Sequence, residues 1–192
     1  MAPREENGMT KPSATARALH DLGLATWFGG TLFGQVALNP TVSSISDKSE
    51  RGRVLNEAWF RFNAVNALAM AAAVGAWRLG GIREAEEGLG AGAGGLVGLK
   101  DVLLGAALFN SAASGVLGAR IANQSSEGDT PVESGTQPAP ETPDEAASSQ
   151  RLIGFFGTGS LVSLAAAAAV SAVLEARAQR GGRLSGLFSR GG

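Results

Sequence analysis

Four stretches of this chain carry no charged side chain: residues 22–46, 62–77, 102–119 and 152–174, which are 25, 16, 18 and 23 residues long. A helix that lies against a core in water keeps a polar or charged face on every turn. A bilayer crossing asks instead for about 20 mainly apolar residues, within a range of ~17–25. The pattern predicts four transmembrane helices near 19–38, 59–78, 102–121 and 152–174, with a soluble Ala-rich bundle as the weaker reading. Trp59 and Trp77 bracket the second stretch. Their separation along a helix is about 27 Å at ~1.5 Å per residue, close to the ~30 Å of hydrocarbon with an indole at each interface. Trp27 lies inside its stretch and is expected against a neighbouring helix or lipid.

The fold class expected is therefore an all-α membrane protein, with four transmembrane helices in an antiparallel bundle and a disordered acidic loop. The divisions are a polar N-terminal tail (1–17), helices one to three (18–121) with an amphipathic segment at 44–58, a loop (122–150), a fourth helix (151–175) and a basic C-terminal tail (176–192). A cleaved signal peptide fits poorly, because the first apolar run exceeds a ~7–15-residue signal core and no clear cleavage motif follows. Basic residues set the orientation. The two tails and the second loop hold ten of the sixteen Lys and Arg, which favours a multi-pass cell-membrane protein with both termini cytoplasmic.

The loop at 122–150 has six acids, four prolines and no Lys or Arg. Such a composition buries too little apolar surface to offset chain entropy, so disorder is expected. Asn39-Pro40 is expected to end the first helix. Asp47, with Glu50 three residues on, marks the start of an interfacial helix, and Asp47/Arg51 and Glu57/Arg61 are spaced for i,i+4 pairs. Gly90, Gly92 and Gly95 formally spell a dinucleotide fingerprint, but no βαβ unit surrounds them. A flexible linker is the expectation there.

Polar side chains within the spans are candidates for packing or for a pathway. Asn63 and Asn66 share a seam with Trp59, Met70, Ala73 and Trp77. Asn110, Ser111 and Ser114 lie in the third span, and depth along a hairpin suggests an Asn66–Asn110 hydrogen bond worth ~0.6 kcal/mol, ~2 at most. Gly29, Gly30 and Gly34 in span one, Ser111/Gly115 in span three and Gly159/Ser163 in span four are small-residue motifs that let helices approach closely. Arg177, Arg180, Arg183 and Arg190 form a basic tail suited to an anionic leaflet or a partner.

The inventory limits chemistry. With no Cys, one His and no Tyr, thiol catalysis, disulfides, Cys-bound metals and bis-histidine haem are excluded, and neither an enzyme nor a cofactor is expected. His20 and Asp21 are expected as a polar cap at the cytoplasmic entrance of the first helix, Asp21 favourable near its N-terminus. A weak metal or proton site is the sharper alternative. Nothing in the charge pattern suggests a nucleic-acid partner.

The segment "LHDLGLATWFGGTLFGQVALNP", with His20, Trp27, Gly29, Gly30 and Pro40, resembles the first helix of a four-helix bacterial membrane protein family of unknown function. That family is distantly like the CopD-type copper-resistance integral membrane proteins. "ALFNSAASGVLGARI", with Asn110, is similar too. The resemblance implies a four-span bundle. Two functions are expected from the whole: a structural or interaction component (accessory subunit or membrane anchor, homo-oligomeric or bound to a membrane or cytoplasmic protein), or a small-solute or metal-ion transport or resistance protein with His20, Asp21, Asn63, Asn66 and Asn110 along its path. A redox subunit is a distant third.

Overall fold

The computed structural model describes residues 14–89, 93–125 and 127–188. Among them the chain is all-helical, and its only extended pairing is an isolated bridge between Val132 and Pro138. The helices are α1 (Ala14–Phe33), α2 (Asn39–Thr41), α3 (Lys48–Ala76), α4 (Ile82–Leu89), α5 (Gly94–Ala122) and α6 (Asp144–Phe188).

Local chemistry explains where these differ from expectation. Pro40 does not end the first helix. A wide π turn, Gly34–Leu38, precedes it, with the Asn39 N–H reaching back to the Gly34 carbonyl. Proline lacks an N–H and crowds the carbonyl four residues back, and the widened turn leaves room for its ring. Asp47 caps α3, its Oδ1 accepting from Ser49 N at 2.8 Å and Glu50 N at 3.2 Å. The amphipathic segment and the second apolar stretch then run as one helix. Glu57 and Arg61 pair at 2.6 Å, whereas Arg51 turns away from Asp47 to Glu133. A second π turn, Trp77–Gly81, leads into α4. Much of the expected linker is thus helical: Gly95 lies in α5, while Gly90 and Gly92 fall outside the described residues.

The helices pack as two pairs. α1 runs along α3, α5 runs along α6, and α3 and α5 touch only briefly. The closest approach in the first pair is at Gly23, where a Cβ would come within 2.6 Å of Ala73 N and 2.7 Å of Ala69 O. Lower down, Gly30 seats the Phe62 ring and Gly34 the Trp59 ring. The core between the pairs is formed by Leu24, Trp27, Ala73, Leu104, Ala107 and Leu164, with Trp27 0% exposed.

Two helices, α5 and residues 144–180 of α6, are long and apolar enough to cross a membrane. Only 11% and 33% of their most apolar windows are buried inside the protein. A core helix in a soluble protein would bury most of such a window. Large apolar side chains face outward on all four long helices: Leu22, Phe33, Phe60, Leu68, Val102, Phe109, Phe155 and Val162 are exposed, while His20, Thr31, Asn66, Lys100, Gln150 and Ser160 are buried.

The acidic segment corrects an expectation of disorder. Val132 packs with Val42 and Leu55 in a second small core. Arg51 Nη1 holds Glu133 at 2.8 Å, and Lys48 Nζ holds Glu133 at 2.7 Å and Glu141 at 3.1 Å. Hydrogen bonds from Lys48 hold the Glu133 and Glu141 carboxyls below the usual carboxylate range and raise the Lys48 ammonium above its own. Backbone bonds finish the cap: Gly135 N donates to Asn39 O, and Val132 N to Lys48 O. Gly52 matters here, because a Cβ at this position would collide with the Thr130 carbonyl.

Candidate functional site

The interior of the bundle is layered, and the same order holds on every long helix. At one end lies a chamber of about 270 Å³ reached by His20 of α1, Trp77 after α3, Lys100 of α5 and Glu175 of α6. At the other lies a chamber of about 210 Å³ reached by Thr31 and Gln35, by Asn66, by Ser111 and Ser114, and by Ser160. Between them sits an apolar layer of Leu24 and Trp27 on α1, Ala69 and Ala73 on α3, Leu104 and Ala107 on α5, and Leu164 and Ala167 on α6. Successive inward positions on a helix recur every three to four residues. Along the bundle the interior therefore passes from charged to apolar to neutral polar.

The charged chamber forms around an indole. Lys100 is 2% exposed, and its Nζ lies 3.8 Å from the centroid of the Trp77 ring. Trp77 Nε1 donates to Asp101 Oδ1 at 2.8 Å, and Arg78 reaches the other oxygen of Asp101 at 3.4 Å. Lys100 and Asp101 thus grip the same ring from face and edge. Trp77 is buried, so it is not the lipid-facing belt residue that its spacing suggests. His20 is also buried, its ring 5.8 Å from that of Trp77. Its Nδ1 donates to the Ala73 carbonyl at 2.6 Å, which leaves Nε2 as an acceptor with no partner. α1 begins at Ala14, so His20 and Asp21 lie well inside the helix and do not cap it. Among the described residues, no three His, Asp or Glu side chains gather as a metal would require.

The neutral chamber is lined by amides, hydroxyls and small residues, with no charged side chain on its wall. Trp27 Nε1 donates to Ser111 Oγ at 3.0 Å, and Ser111 Oγ lies 2.9 Å from Ser160 Oγ, which makes the floor. The acidic loop makes the roof through Thr130, Val132 and Gly135. Trp59 Nε1 donates to Asn39 Oδ1 at 3.1 Å on one wall. Gln150 Nε2 donates to the Ser134 carbonyl at 2.6 Å, which turns its Oε1 free. Three buried side-chain atoms of residues around this chamber have no hydrogen-bond partner among the described residues: Gln150 Oε1, Asn66 Oδ1 and Ser114 Oγ. Each such atom in a low-dielectric interior carries a desolvation penalty of ~1–3 kcal/mol until something pairs with it.

Sequence reasoning placed several of these residues in the spans but paired them differently. Asn66 makes no bond to Asn110, which instead lies against Gly159. Asn63 stands exposed at the edge of the neutral chamber, and Gly115 lines it with nothing within 4 Å of a Cβ. Gly29 likewise meets nothing and faces outward. Arg177 and Arg180 project from α6, which continues as helix to Phe188; the Arg183 side chain and Arg190 lie outside what the structure describes. Lys100, Glu175, Thr31, Gln35, Gln150 and Ser160 were not anticipated. A signal existed for three of them. Thr31, Gln35 and Ser160 are polar residues of the uncharged stretches, and they line one cavity with Asn66 and Ser111.

The chain matches no protein-family model, no curated protein and no solved structure to which it was compared.

Proposed function

We propose that this chain is a four-span integral protein of the cell membrane, with both termini cytoplasmic, that takes up a small uncharged polar molecule in the neutral chamber. The reversed burial pattern supports the membrane assignment: apolar side chains face outward while neutral polar ones face in. In lipid the polar groups must pair internally or line a cavity. The orientation draws on charge. The two tails and the segment between α3 and α5 hold ten of the sixteen Lys and Arg, and the opposite end holds six, Lys48, Arg51, Arg53, Arg61, Arg120 and Arg151. A positive cytoplasmic side follows from that asymmetry.

The observation that carries the function is one cavity lined by neutral amides and hydroxyls, among them Thr31, Gln35, Asn66, Ser114 and Gln150, with no charged side chain on its wall. A small ligand with hydrogen-bonding groups suits such a lining, and the apolar layer around Trp27 separates this site from the charged chamber. Such an arrangement suits a binding or transport protein for a neutral solute. Native mass spectrometry on protein extracted gently from its own membrane tests the reading. A bound small molecule retained by the wild type and lost from Asn66→Leu supports it, and a chamber that never carries anything but water refutes it.

A second reading, an accessory subunit or anchor, is favoured by one specific feature. Gly29 on α1 and Gly98 and Gly105 on α5 are exposed and meet nothing within 4 Å. Small residues in lipid let a further helix pack closely. Affinity purification that recovers a stoichiometric membrane partner from the wild type, and not from Gly105→Leu, supports this second reading; a clean preparation without a partner refutes it.

A further inference from the structure

The neutral chamber is closed toward water and open toward the side. Its roof is the acidic loop, held by the ion pairs of Lys48 and Arg51 with Glu133 and Glu141. Its floor is the Trp27–Ser111–Ser160 network over the apolar layer. Two of its walls are the tightly paired α1/α3 and α5/α6 seams, but α3 and α5 barely touch. Along that gap Phe60 is 80% exposed and Asn63 is exposed, and Gly115 and Gly118 present no side chain, with nothing within 4 Å of a Cβ at either. Beside the gap Phe60 and Val116 are exposed, and so are Glu57, Arg61 and Arg120, so its mouth lies where the apolar zone meets the charged one.

We infer that the chamber binds the head group of a neutral, hydroxyl-bearing lipid that enters from the bilayer between α3 and α5, its tail lying over Phe60 and the Gly115/Gly118 face. This deepens the solute-binding reading above and rests on it. The lining decides the chemistry of the head group. Gln35, Asn63 and Asn66 bring amides to the wall, and Thr31, Ser111 and Ser114 bring hydroxyls, groups that between them both donate and accept hydrogen bonds. No Lys or Arg lines the cavity, so a phosphate head group would be buried without a counter-charge, which is strongly unfavourable in a low dielectric. The cavity of about 210 Å³ has room for a small alcohol head group.

The test uses the full chain in lipid nanodiscs with three probes: dioleoylglycerol, dioleoyl phosphatidic acid and free glycerol, read by native mass spectrometry and by thermal stability. The expected result is saturable binding of one dioleoylglycerol per chain. Phosphatidic acid with the same tails binds at least tenfold more weakly, and glycerol leaves the protein unchanged. Asn66→Leu weakens dioleoylglycerol about tenfold, the equivalent of one hydrogen bond. Gly118→Phe, which fills open space rather than a packed seam, abolishes binding while the melting temperature without lipid is retained; Gly29→Phe on the outer face does neither. Equal binding of phosphatidic acid overturns the neutral head group. Binding of glycerol as tight as that of the lipid overturns lateral entry and leaves the solute-binding reading standing. Absence of binding by all three probes overturns the lipid proposal, and the native-membrane extract then decides the broader reading separately.

Discussion

The contact between α1 and α3 turns on Gly23, and replacing it by Ala isolates one physical effect. A Cβ at this position would sit 2.6 Å from Ala73 N, 2.7 Å from Ala69 O and 3.1 Å from Ala72 Cβ. Ordinary carbon contacts are ~3.5–4.0 Å, so the helices must separate by roughly 1 Å. Two of the three obstacles are backbone atoms, which no rotamer change can move. Overpacking of this kind costs typically ~1–3 kcal/mol. Ala also gains up to ~1 kcal/mol over Gly in helix propensity, which would mask part of the loss. Gly29→Ala supplies the correction, because Gly29 is on the same helix, is exposed and meets nothing within 4 Å. The difference between the two variants should therefore be the steric part alone, about 1–3 kcal/mol, or roughly 5- to 150-fold in the unfolding constant. Unfolding by steric trapping in bicelles measures it. Equal stability for Gly23→Ala and Gly29→Ala would refute the close α1/α3 seam.

Three further outcomes follow from the layers and the roof. Ser111→Ala strips the partner from both Trp27 Nε1 and the Ser160 hydroxyl and should cost between about 0.6 and 2 kcal/mol; unchanged stability and Trp fluorescence would contradict the network. His20→Ala removes the bond to Ala73 O and the ring beside Trp77, so destabilisation by about 1–2 kcal/mol is expected in the same unfolding assay, and a neutral result would contradict a buried, bonded His20. The roof should respond to acid. Glu133 and Glu141 titrate below their ordinary value of 4.5 in the folded protein, so their contribution is complete above that value and is lost as the pH falls through the depressed one. Lys48 titrates above its ordinary 10.5, so its contribution is complete below that value and lost at higher pH. Hydrogen-exchange protection of the Val132 and Gly135 amides should hold between pH 4.5 and 10.5 and weaken only outside that window; loss already between pH 7 and 6 would contradict the ion-paired roof.

What the chain disclosed in advance was decided by solvent, and what it hid was decided by neighbours. Helices α3, α5 and α6 take in the later three uncharged stretches, and α1 with its following turns takes in most of the first, because a missing charge on every turn is a local property. Rotation about a helix axis is not local. Asn66 and Asn110 were matched by depth alone, on the premise that consecutive spans pack side by side, but α3 chooses α1 and α5 chooses α6. The acidic loop looked unable to fold because its counter-charges, Lys48 and Arg51, lie some eighty residues earlier in the chain. Lys100 and Asp101 are adjacent on α5 and so point apart; they meet at Trp77 all the same, since an indole is large enough to be touched on its face and its edge. The unpaired Gln150 Oε1 had no sequence signal at all, for it depends on which end of one amide the Ser134 carbonyl occupies.

The central claim is a four-span bundle turned apolar side out, and the absence of cysteine makes it directly measurable by single-cysteine labelling in sealed membrane vesicles of known orientation. Glu86→Cys and Gln179→Cys should react with a membrane-impermeant maleimide only from the cytoplasmic side. Ser44→Cys and Glu141→Cys should react only from the opposite side, and Leu68→Cys and Val162→Cys from neither until detergent is added. Reaction of all six positions from one face would contradict the account.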